Sequence, residues 1–286
     1  MNRPAVITSS ANPRIKDLIR LRDRPYRDSA GLFLIEGYRE LQRAVAAKVG
    51  IHEVFFSPAL FLGTHEAALI QEAARGGAAV CEVAEGPFRK ISYRDRPDGL
   101  MATARPVTRP LSAIRLSPHP LVLICQAVEK PGNLGAMLRS ADAAGVDAVI
   151  VCDGATDVHN PNVVRASTGT LFTVPVVEAG TEETVAWLAG NSVPIVAATP
   201  HADAAYTEVD YRDGIAIAVG AEQYGLRDDL MGKAAAKVRI PMAGVADSLN
   251  VSTAATLLLF EAARQRGFPV PRSRSGPWTS RSSRSR

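Results

Sequence analysis

The chain has 286 residues, 47% of them hydrophobic, enough to build one large or two ordinary folding units. Lys and Arg number 33 against 29 Asp and Glu, for a formal net charge of +4 and a pI near 9.1. The three cysteines are far apart, which excludes a disulfide framework and CxxC metal spacing, and no apolar run approaches the ~20 residues of a membrane span. With MNRPAVITSS lacking the apolar core of a secretion signal, a soluble protein of a reducing cytoplasm is expected.

The positive charge gathers at the ends. Before residue 30, Arg3, Arg14, Lys16, Arg20, Arg22, Arg24 and Arg27 meet only Asp17, Asp23 and Asp28. From Pro271 the Ser/Arg-rich stretch PRSRSGPWTSRSSRSR adds basic residues and no acid, and its composition predicts a disordered tail over 271–286. Basic ends suit a polyanion such as nucleic acid, and solvated termini account for them equally well.

Taken in chain order, the first part (1–105) alternates short apolar runs with helical patterns. FLIE (33–36), HEVFFS (52–57), AVCEV (79–83) and GLMATA (99–104) predict strands, and YRELQRAVAA (38–47) and HEAALIQEAAR (65–75) predict helices. PVTRPLSAIRLSPHP (106–120) contains four prolines and predicts a linker. Beyond it, LVLIC (121–125), AVIVC (148–152), VPIVAAT (193–199) and IAIAVG (215–220) are unbroken apolar runs, as in strands covered on both faces. Helical patterns at 134–144, 182–189, 228–236 and 251–266 intervene, so the part from 121 to 270 predicts an α/β fold with a largely parallel sheet. Ligands of such sheets gather beyond the carboxyl ends of the strands.

Three loops at such ends hold polar residues in small-residue settings. In KPGNLGAMLR (130–139), Pro131 and Gly132 predict a turn, Asn133 a helix cap, Gly135 a close approach and Arg139 a planar fork of donors for phosphate. Neither the P-loop nor the dinucleotide-binding glycine spacing is present. VGAEQYGLRDDL (219–230) predicts a loop over Gly220–Gly225 with Glu222 as its acid, followed by a helix opened by Asp228 and Asp229. In RIPMAGVADSLNVSTAATLLLFEA (239–262) a strand is expected to end over Ile240–Met242, and a loop then reaches Ser248 and Asn250 on either side of Leu249. Taken singly, each residue also has an ordinary reading as a cap, a solvated charge or an ion pair.

In this order the three segments resemble the three motifs of the SpoU/TrmH family of S-adenosylmethionine-dependent RNA ribose 2'-O-methyltransferases, in the SPOUT class. NPNVVRASTGTLFTVPV (160–176) is similar to another family segment. ITSSANPRIKDL (7–18) and GLFLIEGYRELQRAV (31–45) look like the ribosomal-protein-like α/β RNA-binding domain that often precedes these enzymes.

The resemblance implies a C-terminal SPOUT domain tied in a trefoil knot, although knots are essentially absent from proteins generally, and a homodimer formed through it. It implies catalytic roles for Asn133, Arg139, Glu222, Ser248 and Asn250. S-adenosylmethionine is expected against Thr199, Gly220, Ala221, Ile240, Met242, Ser248 and Leu249, and RNA against Arg139 and Arg165. Ala221 departs from the family, where asparagine is common, so only a backbone contact is expected there. No metal is expected. A guanidinium keeps its proton at neutral pH, so Arg139 is expected to clamp phosphate and orient the 2'-hydroxyl rather than act as base.

The two-domain layout resembles the ribosomal-RNA branch of the family, so 23S ribosomal RNA is the expected substrate. The length and the N-terminal domain are similar to the antibiotic-resistance methyltransferases of the avilamycin and thiostrepton type, and the Ala- and Arg-heavy composition suits a GC-rich producer. Housekeeping methylation of rRNA or tRNA is the alternative. A noncatalytic RNA-binding module has no need of a cofactor pocket, and a nicotinamide-dependent dehydrogenase lacks its glycine fingerprint.

Overall fold

The computed structural model describes residues 6–154 and 156–268. The predicted disordered tail lies outside them. In the N-terminal half, helices α1 (Pro13–Arg20) and α2 (Arg24–Ala30) precede β1 (Phe33–Glu36), α3 (Tyr38–Ala46), β2 (Ile51–Phe56), α4 (Glu66–Arg75), β3 (Ala79–Glu82), α5 (Glu85–Ile91) and β4 (Leu100–Ala104). Asn12 caps α1 by accepting from the Arg14 N–H, and Pro13 pre-sets its first turn. The four strands predicted here form one sheet in the order β1-β4-β2-β3, with β4 antiparallel to both neighbours and β2 parallel to β3.

The C-terminal half contains β5 (Leu121–Gln126), α6 (Pro131–Ala144), β6 (Ala148–Cys152), α7 (Pro161–Ala166), β7 (Val176–Ala179), α8 (Thr181–Gly190), β8 (Ile195–Ala198), β9 (Ala204–Ala205), β10 (Ile215–Val219), α9 (Asp228–Met231), β11 (Ala236–Arg239) and α10 (Val251–Gln265). Its seven strands pair in the order β7-β6-β5-β10-β8-β11-β9, every pair parallel. β5, β6 and β10 are buried at every residue, as unbroken apolar runs require when helices cover both faces.

Three local expectations need correction. The helix predicted over 228–236 stops at Met231, with Gly232 at its end, and Ala236 opens β11 instead, in the slot between β8 and β9. That strand ends at Arg239, not over Ile240–Met242. Pro131 and Gly132 are not a turn before α6 but its first residues. Lys130 therefore stands at the N-cap, and Asn133 is the third helical residue, with its side chain free for other partners. Proline at the first helical position loses no hydrogen bond, which favours this earlier start.

The two halves share one continuous hydrophobic core. Phe33 of β1 packs its ring 4.7 Å from the His159 ring and 6.1 Å from that of Phe172. Arg43 of α3 donates to the Thr168 carbonyl and, at 2.9 Å, to its hydroxyl, while buried Arg27 pairs with Asp157. The proline-rich stretch is also held down: Leu111 is buried, and the Val107 N–H donates to His159 Nε2 at 3.1 Å. Burial pushes the His159 imidazole below its ordinary pKa, which keeps that nitrogen free to accept.

Candidate active site

Four adjacent strands, β5, β10, β8 and β11, end at one edge of the parallel sheet, and the loops leaving their carboxyl ends carry most of the residues singled out above. Asn133 follows β5 in the first turn of α6, Thr199 follows β8, Gly220–Gly225 follow β10, and Ile240–Asn250 follow β11.

Three of these residues meet directly. Asn133 Nδ2 donates to Glu222 Oε1, and Asn250 Nδ2 donates to Asn133 Oδ1 at 3.2 Å. Asn250 also caps α10, its Oδ1 accepting from the Ser252 N–H at 2.9 Å, so the capping role and the site role coexist in one side chain. Further along, the Ser140 and Thr256 hydroxyls lie 2.7 Å apart. Contacts 133/250 and 140/256 set α6 and α10 side by side in the same direction, with both N-termini at the cluster.

The loop that carries Glu222 is closed by its own backbone. Ala221 and Gly225 exchange N–H···O bonds of 3.0 and 2.9 Å. A Cβ placed on Gly220 would fall 2.1 Å from the Gly225 carbonyl, so only glycine allows that closure. Glu222 Oε2 is buried and has no hydrogen-bond partner among the described residues. Such an orphaned acceptor costs about 1–3 kcal/mol unless something else donates to it.

Other predicted residues stay apart from this cluster. Arg139 is exposed, six residues beyond Asn133 on α6, a rise of ~9 Å, and makes no hydrogen bond or ion pair with any described residue. Gly135 explains the surroundings of Arg139: a Cβ there would lie 2.5 Å from Ala166 Cβ, so α6 rests directly on α7. Exposed Arg165 and Arg139 thus project from adjoining helices. The Thr199 N–H is engaged by the Val238 carbonyl at 2.9 Å. Ser248 and Met242 are exposed and Leu249 and Ile240 half-buried; residues 241–249 make no hydrogen bond with described residues.

Residues 120–260 match the sequence model of the SpoU rRNA Methylase family, and residues 12–102 that of the MRM3-like substrate binding domain. A 23S rRNA (uridine(2479)-2'-O)-methyltransferase of Streptomyces viridochromogenes is 30% identical over 255 residues, covering 86% of this chain and 87% of the relative. The chain belongs to the SpoU rRNA methylase family. A solved RNA 2'-O ribose methyltransferase superposes with a TM-score of 0.81 at 46% identity, over 92% of this chain and all of that one. An AdoMet-bound rRNA methyltransferase from Sinorhizobium meliloti superposes with a TM-score of 0.83 at 31% identity, over 92% and 98%.

This SpoU methylase also has a polar brace that pattern reading missed. Gln126, fully buried at the end of β5, donates to Thr181 Oγ1 at 2.8 Å and Asp229 Oδ1 at 2.9 Å, and accepts from the Arg227 N–H at 2.8 Å. Arg227 in turn donates to Asp153 and Asp229, and its hydrogen bond holds the Asp229 carboxyl below its usual range. The brace ties the exit of the Glu222 loop to β5 and β6. Its one sequence signal is a glutamine closing an otherwise wholly apolar strand.

Proposed function

We propose that this SpoU methylase transfers a methyl group from S-adenosylmethionine to the 2'-hydroxyl of a ribose in 23S rRNA. The observation that carries the reading is the meeting of Asn133 from the first turn of α6, Glu222 from the loop after β10 and Asn250 from the cap of α10 at one hydrogen-bonded point on the carboxyl edge of the sheet. The residues present fit such a donor. Glu222 Oε2 waits buried for a hydrogen-bond donor, and the backbone from Pro241 to Leu249 is unpaired among the described residues and open to an adenine or ribose edge. In this reading Thr199, Gly220, Ala221, Ile240, Met242 and Leu249 hold the cofactor, which supplies an electrophilic methyl group. Asn133, Ser248 and Asn250 orient the sugars by neutral hydrogen bonds. Arg139 grips the phosphate beside the target ribose, and Arg165 extends that basic surface.

The proposal includes a substrate-recognition domain over 1–105, a linker over 106–120 and a methylase domain over 121–270. It also includes the trefoil threading and a homodimer through the C-terminal half. β11 lying between β8 and β9 while α10 returns to α6 and β10 supports the threading. Fully exposed Val245 and exposed Met242, on the loop that lacks internal hydrogen bonds, support a second copy covering this face.

Mapping ribose methylation on 23S rRNA from cells with and without the protein tests the reading. One 2'-O-methyl group present only with the protein is expected, and an identical map sinks it. If that ribose borders a drug site, resistance to a ribosome-directed antibiotic follows, and the same two strains compared on the drug decide it.

Glu222→Gln probes the cluster itself. The amide keeps an acceptor for Asn133 but loses the charge, worth about 1.5–3 kcal/mol in such a hydrogen bond. Turnover is expected to fall roughly 10- to 100-fold and melting temperature by on the order of 5 °C, measured by methyl incorporation into rRNA beside a thermal melt.

A further inference from the structure

A second concave site lies between the two halves of the chain, separate from the Asn133–Glu222–Asn250 cluster. It is a cavity of about 360 Å³. Its floor is apolar and aromatic, formed by Val158, Leu171, Phe172 and the buried imidazole of His159. Lys48, Arg105 and Arg109 stand on its rim, and no carboxylate lines it. All three cations are exposed and have no ion-pair partner among the described residues. Some surface arginines of the N-terminal half are neutralised locally, as in Arg20–Asp17, Arg24–Asp28 and Arg89–Glu85, whereas Arg39, Arg75 and Arg96 are exposed without an ion pair among the described residues. The cleft differs in gathering three such cations around one concavity.

The chemistry of this cleft fits one kind of occupant. An apolar floor with an aromatic ring accepts the face of a base, and stacking of this kind tolerates any base identity. Three unneutralised cations around it match the phosphates on either side of that base, the contacts that set register on a nucleic acid. The cavity has the size of small-ligand sites. The position is also suitable: Val174 and Val176, at the amino end of the edge strand β7, line the cleft, and β7 is two strands from β5, ~10 Å across the sheet. Val176 aligns through Val149 with Leu123, so the carboxyl end of β5 lies a further ~10 Å along the strands, a span of a few nucleotides in all. A single RNA strand can therefore occupy the cleft and the methylation site together.

We propose that this interdomain cleft binds one unpaired nucleotide of the rRNA substrate, its base against the Phe172–His159 floor and its flanking phosphates on Lys48, Arg105 and Arg109. The cleft then acts as a ruler, selecting the target ribose by its distance along the strand. The inference rests on the rRNA-methylation reading and adds a specificity subsite to it.

The test uses the full chain and 23S rRNA from cells lacking it. The combined variant Lys48→Ala, Arg105→Ala, Arg109→Ala removes only exposed side chains. Its affinity for the rRNA is expected to fall at least about tenfold at physiological salt. The slope of log affinity against log salt should become shallower by roughly 2, at about 0.7 per single-strand phosphate released. S-adenosylmethionine affinity, melting temperature and turnover at saturating rRNA should stay at wild-type values. A charge-matched control, Arg75→Ala, Arg115→Ala, Lys233→Ala, alters exposed cations outside the cleft. Unchanged affinity and slope in the cleft variant, or an equal loss in the control, overturns the proposal. Methylation of the same rRNA by the wild-type chain scores the enzymatic reading separately: if it methylates while the cleft variant binds normally, only the subsite is removed.

A photocrosslinker on Thr108→Cys, a cleft-lining and exposed position, gives a second readout, because all three native cysteines are buried. Capture of one rRNA segment at that site is expected, with none from the same label on Glu182→Cys, also exposed. Equal capture from both positions overturns the proposal.

Discussion

Arg139→Lys is expected to lower turnover on rRNA by on the order of 10²-fold, the loss typical of a misplaced reacting group, while leaving affinity for rRNA and for S-adenosylmethionine within about threefold. The Arg139 side chain is exposed and bonds to no described residue, so replacing it removes no internal support. Lysine keeps the charge and with it the long-range attraction for phosphate. It loses the planar fork that fixes phosphate and hydroxyl in one geometry. A geometric role therefore shows itself in turnover and not in binding. The alternative role, proton acceptor, predicts the opposite pH behaviour. A lysine releases its proton more easily than a guanidinium, so a variant working through that base would regain rate as pH rises toward 10. A flat loss across pH 7–10 supports the clamp. Near-normal turnover with intact RNA binding removes it.

The scaffold of the methylase half is legible in the sequence because β5, β6 and β10 are covered on both faces, and only apolar residues survive there. Short elements carry less information. β7 and β11 are four residues each, one exposed on part of its length and the other amid Ala and Lys, so neither periodicity nor composition separates them from loops. The misread helix at 228–236 has the same origin: A-A-A-K suits a helix locally, and pairing with β8 overrides that preference. The interlocking of the two halves is not legible at all. Phe33, Arg27 and Arg43 look like ordinary strand and helix residues, and their partners lie more than a hundred positions away.

At the site, sequence patterns locate the loops but not their bonds. Asn133 reads as a cap because Asn followed by an apolar stripe is the usual cap signature. The fold starts the helix earlier and spends the amide on Glu222 and Asn250 instead. Gly220 reads only as a loop glycine, while the backbone closure that requires it depends on Gly225 folding back over it. Gln126 escapes because its three partners come from α8, the start of α9 and the residue before it, which no local window brings together.

Arg27→Ala is expected to destabilise the protein by about 3–5 kcal/mol, the usual cost of leaving one member of a buried ion pair alone, and to lower its melting temperature by on the order of 10 °C. Arg27 is almost wholly buried between the halves. Its Nε donates to Asp157 Oδ2 at 3.1 Å, and its Nη1 donates to the carbonyls of Leu21 at 3.0 Å and Arg22 at 2.7 Å. The other Asp157 oxygen accepts from the His159 N–H at 2.7 Å, so the carboxylate also shapes the loop under the interdomain cleft. Removing the guanidinium strands that carboxylate and uncaps two carbonyls at once. The double variant Arg27→Met, Asp157→Leu should recover part of the loss, since neither charge is then left buried and alone. The measurement is denaturant unfolding of wild type, both single variants and the double. A single-variant loss below about 1 kcal/mol, the range of exposed pairs, would mean that water reaches this contact and that the two halves are held together by apolar packing and the Arg43–Thr168 contact instead.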